Sequence, residues 1–175
     1  MASTADTAHH EPQKRLRCAL HAVNALLPSA PYFSASDFDA FAADIVAREA
    51  ALGIGSFFLS SHSTPFLGQW SLEVILAALQ SRSLTAAHFP SGADGAPDRV
   101  GYLLNRASTG IASMLFGGRH WVALRKVNAE WLNFDSNLSA PSSIGTDAEV
   151  LALLSKEPAS THVLCVSTHS GNDAQ

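Results

Sequence analysis

The chain has 175 residues, 47% of them apolar, which is enough for one domain with a sizeable core. A formal net charge of −4 gives no electrostatic reason to expect nucleic acid or an anionic membrane as a partner. Residues Met1 to His10 lack the apolar run of a secretory signal, and two cysteines fit a reducing compartment. We therefore expect a monomeric protein in the cytoplasm that can also enter the nucleus; membrane association stays open but is not indicated.

Helices dominate the first half of the chain. Cys18 to Leu27 is the first predicted helix, with its apolar residues spaced for one face. Ser36 is the predicted N-cap of the second helix, which ends before Gly53. Its expected core side chains are Phe38, Phe41, Ile45 and Leu52. Ser71 to Ser81 is the third helix, and the segment before it, Phe57 to Gly68, is expected to be a loop or the tip of a helical hairpin.

Strands dominate the second half. Leu84 to Phe89 and Val100 to Asn105 are strand candidates. His120 to Val127 and Glu130 to Asp135 predict two more strands, and the dipeptide Asn128-Ala129 joins them as a tight hairpin.

The chain then returns to a helix and a strand. Ser139 to Gly145 is predicted as a loop, and Thr146 to Glu149 has the spacing of a capping box that opens a helix to about Ser155. Val163 to Val166 is the last predicted strand. Helices followed by strands, rather than alternating with them, are typical of an α+β domain.

One folded domain is expected over residues 9–167. Residues 1–8 are predicted to be a disordered tail and residues 168–175 a polar C-terminal tail. Ala107 to Gly118 holds the apolar run Ile111 to Phe116 between glycines, which we interpret as a mobile loop or a short helix near the active site.

A cysteine nucleophile is the chemistry that the N-terminal region suggests. Cys18 lies in the first turn of its predicted helix, where the positive end of the macrodipole favours a thiolate. Gln13 precedes it by a short loop, and its amide can donate to an oxyanion formed after the thiolate attacks a carbonyl. The alternative is that Cys18 is a buried helix cysteine and Gln13 a solvated loop residue.

His120 is the best candidate among eight histidines for the base that such a cysteine needs. The predicted hairpin brings Asp135 back beside it as an orienting carboxylate, and Trp121 can wall a narrow cleft. His21 lies on the same helix as Cys18, which suits a packing hydrogen bond better than catalysis. The alternative for His120 and Asp135 is an ordinary pair at the edge of a hairpin.

Other functional residues are less defined. Cys165 lies in an apolar strand and is expected in the core. Trp70 and Leu72 flank the start of the third helix and are candidates for core packing or for contact with a partner. The histidines and cysteines lack metal-ligand spacing, and the sequence has no phosphate-binding loop, so no metal or cofactor is expected.

Several ordered blocks together resemble the Josephin family of cysteine-protease deubiquitinases. The resemblance covers His10 to Val166. Its motifs are His10-Glu11-x-Gln13, Cys18-x2-His21-x2-Asn24, Gly118-Arg-His120-Trp121 and Trp131-Leu-Asn133-Phe-Asp135.

The resemblance implies a papain-like fold, with a helical lobe and a protruding helical hairpin, around Phe38 to Gly68, on a central antiparallel sheet. It also implies that Cys18 is the nucleophile, His120 the general base and acid, Asp135 the orienting third member and Gln13 the oxyanion-hole side chain. Ubiquitin and its conjugates would be the partners. Their expected contacts are Trp121, Leu72 and Trp70.

Two other functions remain open from the sequence. One is a catalytically weak ubiquitin-binding module with the same fold. The other is a different papain-like enzyme with a Cys-His-Asp triad, such as a general peptidase or an acyltransferase.

Overall fold

The structure is a computed structural model that describes residues 9–12, 17–53, 62–64, 69–89, 98–107 and 118–168. Helices lie mainly in the first half and strands in the second. In chain order the elements are α1 (Cys18–Leu26), α2 (Ala35–Ala51), β1 (Ser63–Thr64), β2 (Gln69–Trp70), α3 (Leu72–Gln80), β3 (Leu84–His88), β4 (Arg99–Ala107), β5 (Arg119–Val127), β6 (Glu130–Phe134), β7 (Ser142–Gly145), α4 (Asp147–Ser155) and β8 (His162–Thr168).

A six-stranded antiparallel sheet in the order β3-β8-β4-β5-β6-β7 forms the centre of the fold. Helices α1 and α3 pack on one face, with α2 against α3. Helix α4 covers the other face, where Val150 and Leu154 meet Val122 and Leu124. The sequence expectation of an α+β, papain-like fold with a helical lobe on an antiparallel sheet is confirmed.

Strand β5 is apolar at consecutive positions because it lies in the middle of the sheet between these two layers. Trp121 and Ala123 belong to the core beneath the helical lobe, whereas Val122 and Leu124 belong to the core beneath α4. A strand that is buried on both faces reads as a continuous apolar run rather than as an alternating one.

The N-cap of helix α2 lies two residues before the predicted one. Ser34, not Ser36, is the N-cap: the Asp37 N–H donates to the Ser34 hydroxyl at 3.3 Å, and the Ser34 N–H donates to the Asp37 carboxylate at 2.6 Å. These reciprocal bonds form a capping box with the acid three residues after the cap. Ser36 also has an acid at that spacing, but Asp39 accepts from the Trp70 indole N–H. The core assignment of Leu52 is also wrong, since that side chain follows the last helical residue and is 74% exposed.

Two short pairings replace predicted loops. Ser142–Gly145, predicted as part of a loop, is β7 and pairs with β6 at the edge of the sheet. Ser63–Thr64 pairs with Gln69–Trp70 in a separate two-stranded ribbon. Main-chain hydrogen bonds define both pairings, and an edge strand exposed to solvent carries no apolar alternation for the sequence to show.

Several expectations lie outside the described residues. They concern Gln13, residues 1–8 and 169–175 of the two tails, the apolar run Ile111 to Phe116 and most of the second arm of the helical hairpin, whose first arm corresponds to α2. Thr168, which was predicted in the C-terminal tail, is instead the last residue of β8 and pairs with Leu84. Within the described ranges, no helix has the length and apolar character that crossing a bilayer requires.

Phe38 provides a test of the helical lobe. It is fully buried and contacts the rings of Phe33, Phe41 and Trp70, with centroids 5.9, 6.4 and 5.0 Å away. We expect Phe38→Ala to lower the free energy of unfolding by about 3–5 kcal/mol in urea denaturation because it leaves a cavity. Leu52→Ala, at an exposed position, is the control and should change it by less than about 0.5 kcal/mol. Equal effects would contradict this packing.

Candidate active site

Cys18 is the first residue of α1, as predicted. Its N-cap is Arg17, and within the described part of the chain no side chain caps this helix. The free N–H groups of the first turn therefore point to the region of the sulfur, where they favour negative charge. Cys18 is 8% exposed and, although it is the first residue of α1, it belongs to the core beneath the helical lobe, so it is a buried cysteine.

Strand β5 holds α1 in place and carries the candidate base. Near one end of the strand, the buried Arg125 guanidinium donates to the carbonyl oxygens of Ala25 and Leu27 at 2.9 and 2.7 Å. These bonds satisfy carbonyls at the C-terminal end of α1. At the other end of the strand is His120. The element that positions the base is thus also the one that fixes the helix of the nucleophile.

His120 lies between Cys18 and Asp135. Its Nε2 is 2.7 Å from Asp135 Oδ1, and the Cys18 side chain is near enough to the imidazole to raise its pKa. Because Asp135 occupies Nε2, Nδ1 is the ring nitrogen left for the sulfur. The structure therefore brings together the three residues predicted as nucleophile, base and orienting acid.

The electrostatics of the site favour a charged histidine. Burial alone would lower the pKa of His120, but hydrogen bonds to Asp135 and Cys18 and their negative charge raise it from 6.5 to about 9. Burial would raise the pKa of Asp135, but the bonds from His120 and from the Asn137 N–H, with the charges of His120 and Arg106, lower it. At neutral pH the pair is an imidazolium facing a carboxylate.

Asn137 is a residue of this site that the sequence analysis missed. Its side-chain Nδ2 lies 3.1 Å from His120 Nε2, and its backbone N–H donates to Asp135 Oδ1 at 2.9 Å. The sequence does indicate its position, because a two-residue turn fixes the register of the two strands and therefore which residue lies opposite His120. Continuing the observed pairing of Ala123 with Phe134 by three pairs brings Asn137 level with His120.

His21 has a structural partner rather than a catalytic one. It is buried, and its Nδ1 lies 2.7 Å from Glu11 Oε2. The other Glu11 oxygen is 2.8 Å from His9 Nε2, and the His9 ring stacks on Tyr32 with centroids 3.5 Å apart. Burial would raise the pKa of Glu11, but its bonds to His9 and His21 lower it. His21 of the Cys18-x2-His21 motif thus attaches the segment that contains His9 and Glu11 to α1.

The same segment reaches the turn that follows Asp135. His10 Nε2 is 3.0 Å from the carbonyl oxygen of Leu138, while the Leu138 N–H donates to the carbonyl of Asp135 at 2.9 Å. Gln13 lies outside the described residues, so its oxyanion role stays a prediction. The described residues on the N-terminal side of Gln13 are attached both to the nucleophile helix and to the turn of the acid.

Asn24, three residues further along α1 than His21, fixes the loop after the helix. Its amide donates to the carbonyl of Phe33 at 2.9 Å and accepts from the Phe33 N–H at 2.8 Å. It is fully buried, and both ends of its amide are paired. The spacing Cys18-x2-His21-x2-Asn24 therefore serves one catalytic candidate and two structural hydrogen bonds.

Comparison with known proteins agrees with this arrangement. The family model described as Josephin matches residues 13–167, nearly the whole chain. The chain belongs to the Josephin family. Josephin proteins are in general of the deubiquitinase type, so membership of the family indicates a deubiquitinase-type cysteine protease.

Three curated relatives show how far the similarity extends. This Josephin domain is 34% identical to human Josephin-2 over 155 residues, which are 85% of this chain and 78% of the relative. It is 32% identical to a Josephin-like protein of Drosophila melanogaster over 165 residues, 89% of this chain and 71% of that one. An ataxin-3 homolog of Arabidopsis thaliana is 34% identical over 147 residues, 78% of this chain but 50% of its own length.

The predicted substrate contacts occupy different environments in this Josephin domain. Trp121 follows His120 and is 9% exposed. Leu72 is half-buried at the start of α3 and packs against the core. Trp70 is 7% exposed, with its indole N–H donating to Asp39 at 3.0 Å, so its main contacts are within the helical lobe. Their contact with a substrate stays a prediction.

The described residues form no candidate metal site. No group of three or more His, Cys, Asp or Glu side chains among them is placed to hold a metal ion. Cys165, the second cysteine, is half-buried in β8 and packs against the core beneath α4.

The pair of His120 and Asp135 predicts a pH-dependent stability. A histidine with its pKa raised from 6.5 to about 9 contributes stability that is full below about 6.5 and is lost as the pH rises through about 9. The difference in unfolding free energy between the wild type and Asp135→Ala should therefore shrink over this range in urea denaturation. Asp44→Ala, at an exposed acid, is the control and should show no such trend. A difference that does not change with pH would contradict the ion pair.

Proposed function

We propose that this Josephin protein is a deubiquitinating cysteine protease that cleaves the bond after the C-terminal glycine of ubiquitin. The observation that carries the proposal is the hydrogen bond of His120 to Asp135, together with the influence of the nearby Cys18 on the His120 pKa. Membership of the Josephin family supports the same class of reaction. The proposed partners are ubiquitin and ubiquitin conjugates, bound by a single chain in the cytoplasm or nucleus.

The first half of the proposed reaction forms an acyl-enzyme. The Cys18 thiolate attacks the glycine carbonyl carbon, and the carbonyl oxygen becomes an oxyanion that accepts hydrogen bonds from the Cys18 N–H and the Gln13 amide. His120, as an imidazolium, gives its Nδ1 proton to the lysine nitrogen while the carbon–nitrogen bond breaks. The lysine amine leaves, and the glycine carbonyl stays on the sulfur as a thioester.

The second half of the proposed reaction returns the enzyme to its starting state. Neutral His120 takes a proton from water as the water oxygen attacks the thioester carbonyl. The carbon–sulfur bond breaks, leaving Cys18 as a thiolate and His120 as an imidazolium. The carboxylic acid formed at the ubiquitin C-terminus loses its proton to solvent, and the free carboxylate departs. Throughout both steps Asp135 keeps Nε2 protonated, so that Nδ1 is the nitrogen that exchanges protons with the substrate.

The proposed substrate has an extended tail that ends in two glycines. Trp121 follows His120 in the chain and is 9% exposed, and we infer that it narrows the approach to the sulfur. A glycine has no side chain to meet this wall. We infer that steric exclusion at Trp121 contributes to the preference for the ubiquitin C-terminus.

A thiol-reactive ubiquitin probe tests the nucleophile. We expect a ubiquitin that carries a C-terminal electrophile to label the wild type, and Cys18→Ala to abolish labelling in a gel-shift assay. Cys165→Ala is the matched control, because it removes the other cysteine and should leave labelling intact. Binding of ubiquitin without labelling would instead identify a binding module. Turnover of acyl donors or short peptides alone would identify a different papain-like enzyme.

Asp135→Ala tests the role of the acid. Because Asp135 orients the base rather than contacting ubiquitin, we expect kcat to fall by about 100-fold or more. The Kd for ubiquitin, measured by titration calorimetry, should change by less than about threefold. Equal losses in kcat and in ubiquitin affinity would show that Asp135 is a structural residue of the hairpin.

A further inference from the structure

The turn after β6 presents two side chains, not one, to the same atom of the base. Asp135 Oδ1 is 2.7 Å from His120 Nε2, and the side-chain amide of Asn137 is 3.1 Å from it. The Asn137 backbone N–H also donates to Asp135 Oδ1 at 2.9 Å, so the two residues are fixed relative to one another.

The chemistry of these groups decides which end of the amide faces the ring. An imidazolium carries a proton on Nε2 and accepts no hydrogen bond there, so an amide N–H would have nothing to donate to. A rotation of the amide about its terminal bond exchanges oxygen and nitrogen at the same position. With Oδ1 turned toward the ring, Asn137 accepts from the Nε2–H together with Asp135.

We propose that Asn137 is an auxiliary positioning residue of the catalytic histidine: its amide oxygen shares the Nε2–H with Asp135 and partly replaces Asp135 when that carboxylate is removed. The proposal rests on the proposed function for its catalytic consequences. Its structural content concerns only His120, Asp135 and Asn137.

An amide in this position adds orientation without adding charge. Asp135 already favours the imidazolium, and a second carboxylate would hold the Nδ1 proton still more firmly against transfer to the leaving amine. A neutral acceptor restricts rotation of the ring at a smaller electrostatic cost. Asn137 is exposed, whereas Asp135 is half-buried, so the amide should be the weaker of the two acceptors while both are present.

Four proteins provide the test: the wild type, Asn137→Ala, Asp135→Ala and the double variant. The Ala substitution at 137 keeps the backbone N–H that donates to Asp135, so only the amide is lost. On a fluorogenic ubiquitin C-terminal substrate we expect Asn137→Ala to lower kcat about threefold with KM unchanged. In the Asp135→Ala background the same substitution should lower kcat by a further tenfold or more, because Asn137 is then the remaining acceptor.

A second measurement does not depend on ubiquitin. In NMR titrations, the pKa of His120 should be lower in the double variant than in Asp135→Ala alone, since an acceptor on Nε2 stabilises the charged ring. The exchanged pair Asp135→Asn with Asn137→Asp should raise that pKa again relative to Asp135→Asn alone. Ser139→Ala, at an exposed position in the same loop, is the control and should alter neither kcat nor the His120 pKa.

The two measurements separate the proposals. An equal loss of kcat from Asn137→Ala in both backgrounds, or an unchanged His120 pKa between Asp135→Ala and the double variant, would overturn the role of Asn137. If the wild type does not turn over ubiquitin substrates, the proposed function fails, and the His120 pKa alone then decides the role of Asn137. The exchanged pair keeps the test decisive if the double Ala variant does not fold.

Discussion

The short hydrogen bond between His120 and Asp135 is the interaction on which the site depends. The imidazole is 9% exposed, and burial by itself would favour its neutral form. The nearby carboxylate and sulfur reverse that preference and raise the pKa to about 9. A charged histidine beside a cysteine is what a thiolate needs at neutral pH, so the chemistry at Cys18 follows from a contact made on the far side of the ring.

The rest of the fold keeps that contact in register with the nucleophile. Strand β5 carries the base, and its Arg125 binds the carbonyls at the C-terminal end of α1, whose first residue is Cys18. The segment around His10 and Glu11 joins α1 to the turn after Asp135. The nucleophile, base and acid come from separate parts of the chain, yet each is attached to the other two through hydrogen bonds as well as through packing.

Residues whose role follows from local rules were predictable from the sequence. A cysteine at a helix start, a tight turn at Asn128-Ala129 and a capping box at Thr146 were enough to place α1, the hairpin and α4, and the hairpin placed Asp135 near His120. Features that depend on tertiary contacts were not predictable from the sequence. The edge strand β7 depends on a free edge of β6. The hairpin register brings Asn137 level with His120, but whether its amide reaches the ring depends on how the chain turns after β6. Ser34 and Ser36 each have an aspartate three residues later, so spacing alone does not choose the N-cap, and the pairing of Asp39 with Trp70 is a tertiary contact.

The most direct measurement is the alkylation rate of the two cysteines by iodoacetamide, followed by mass spectrometry from about pH 5 to pH 9, since an ordinary thiol ionises near about pH 8.5. Cys165 is the internal reference within the same molecule. If the sulfur, the ring and the carboxylate meet as described, Cys18 reacts rapidly near pH 6, and His120→Ala removes that reactivity while Cys165 is unaffected. If Cys18 reacts no faster than Cys165 at pH 6, or if His120→Ala leaves its rate unchanged, the triad does not operate in this protein.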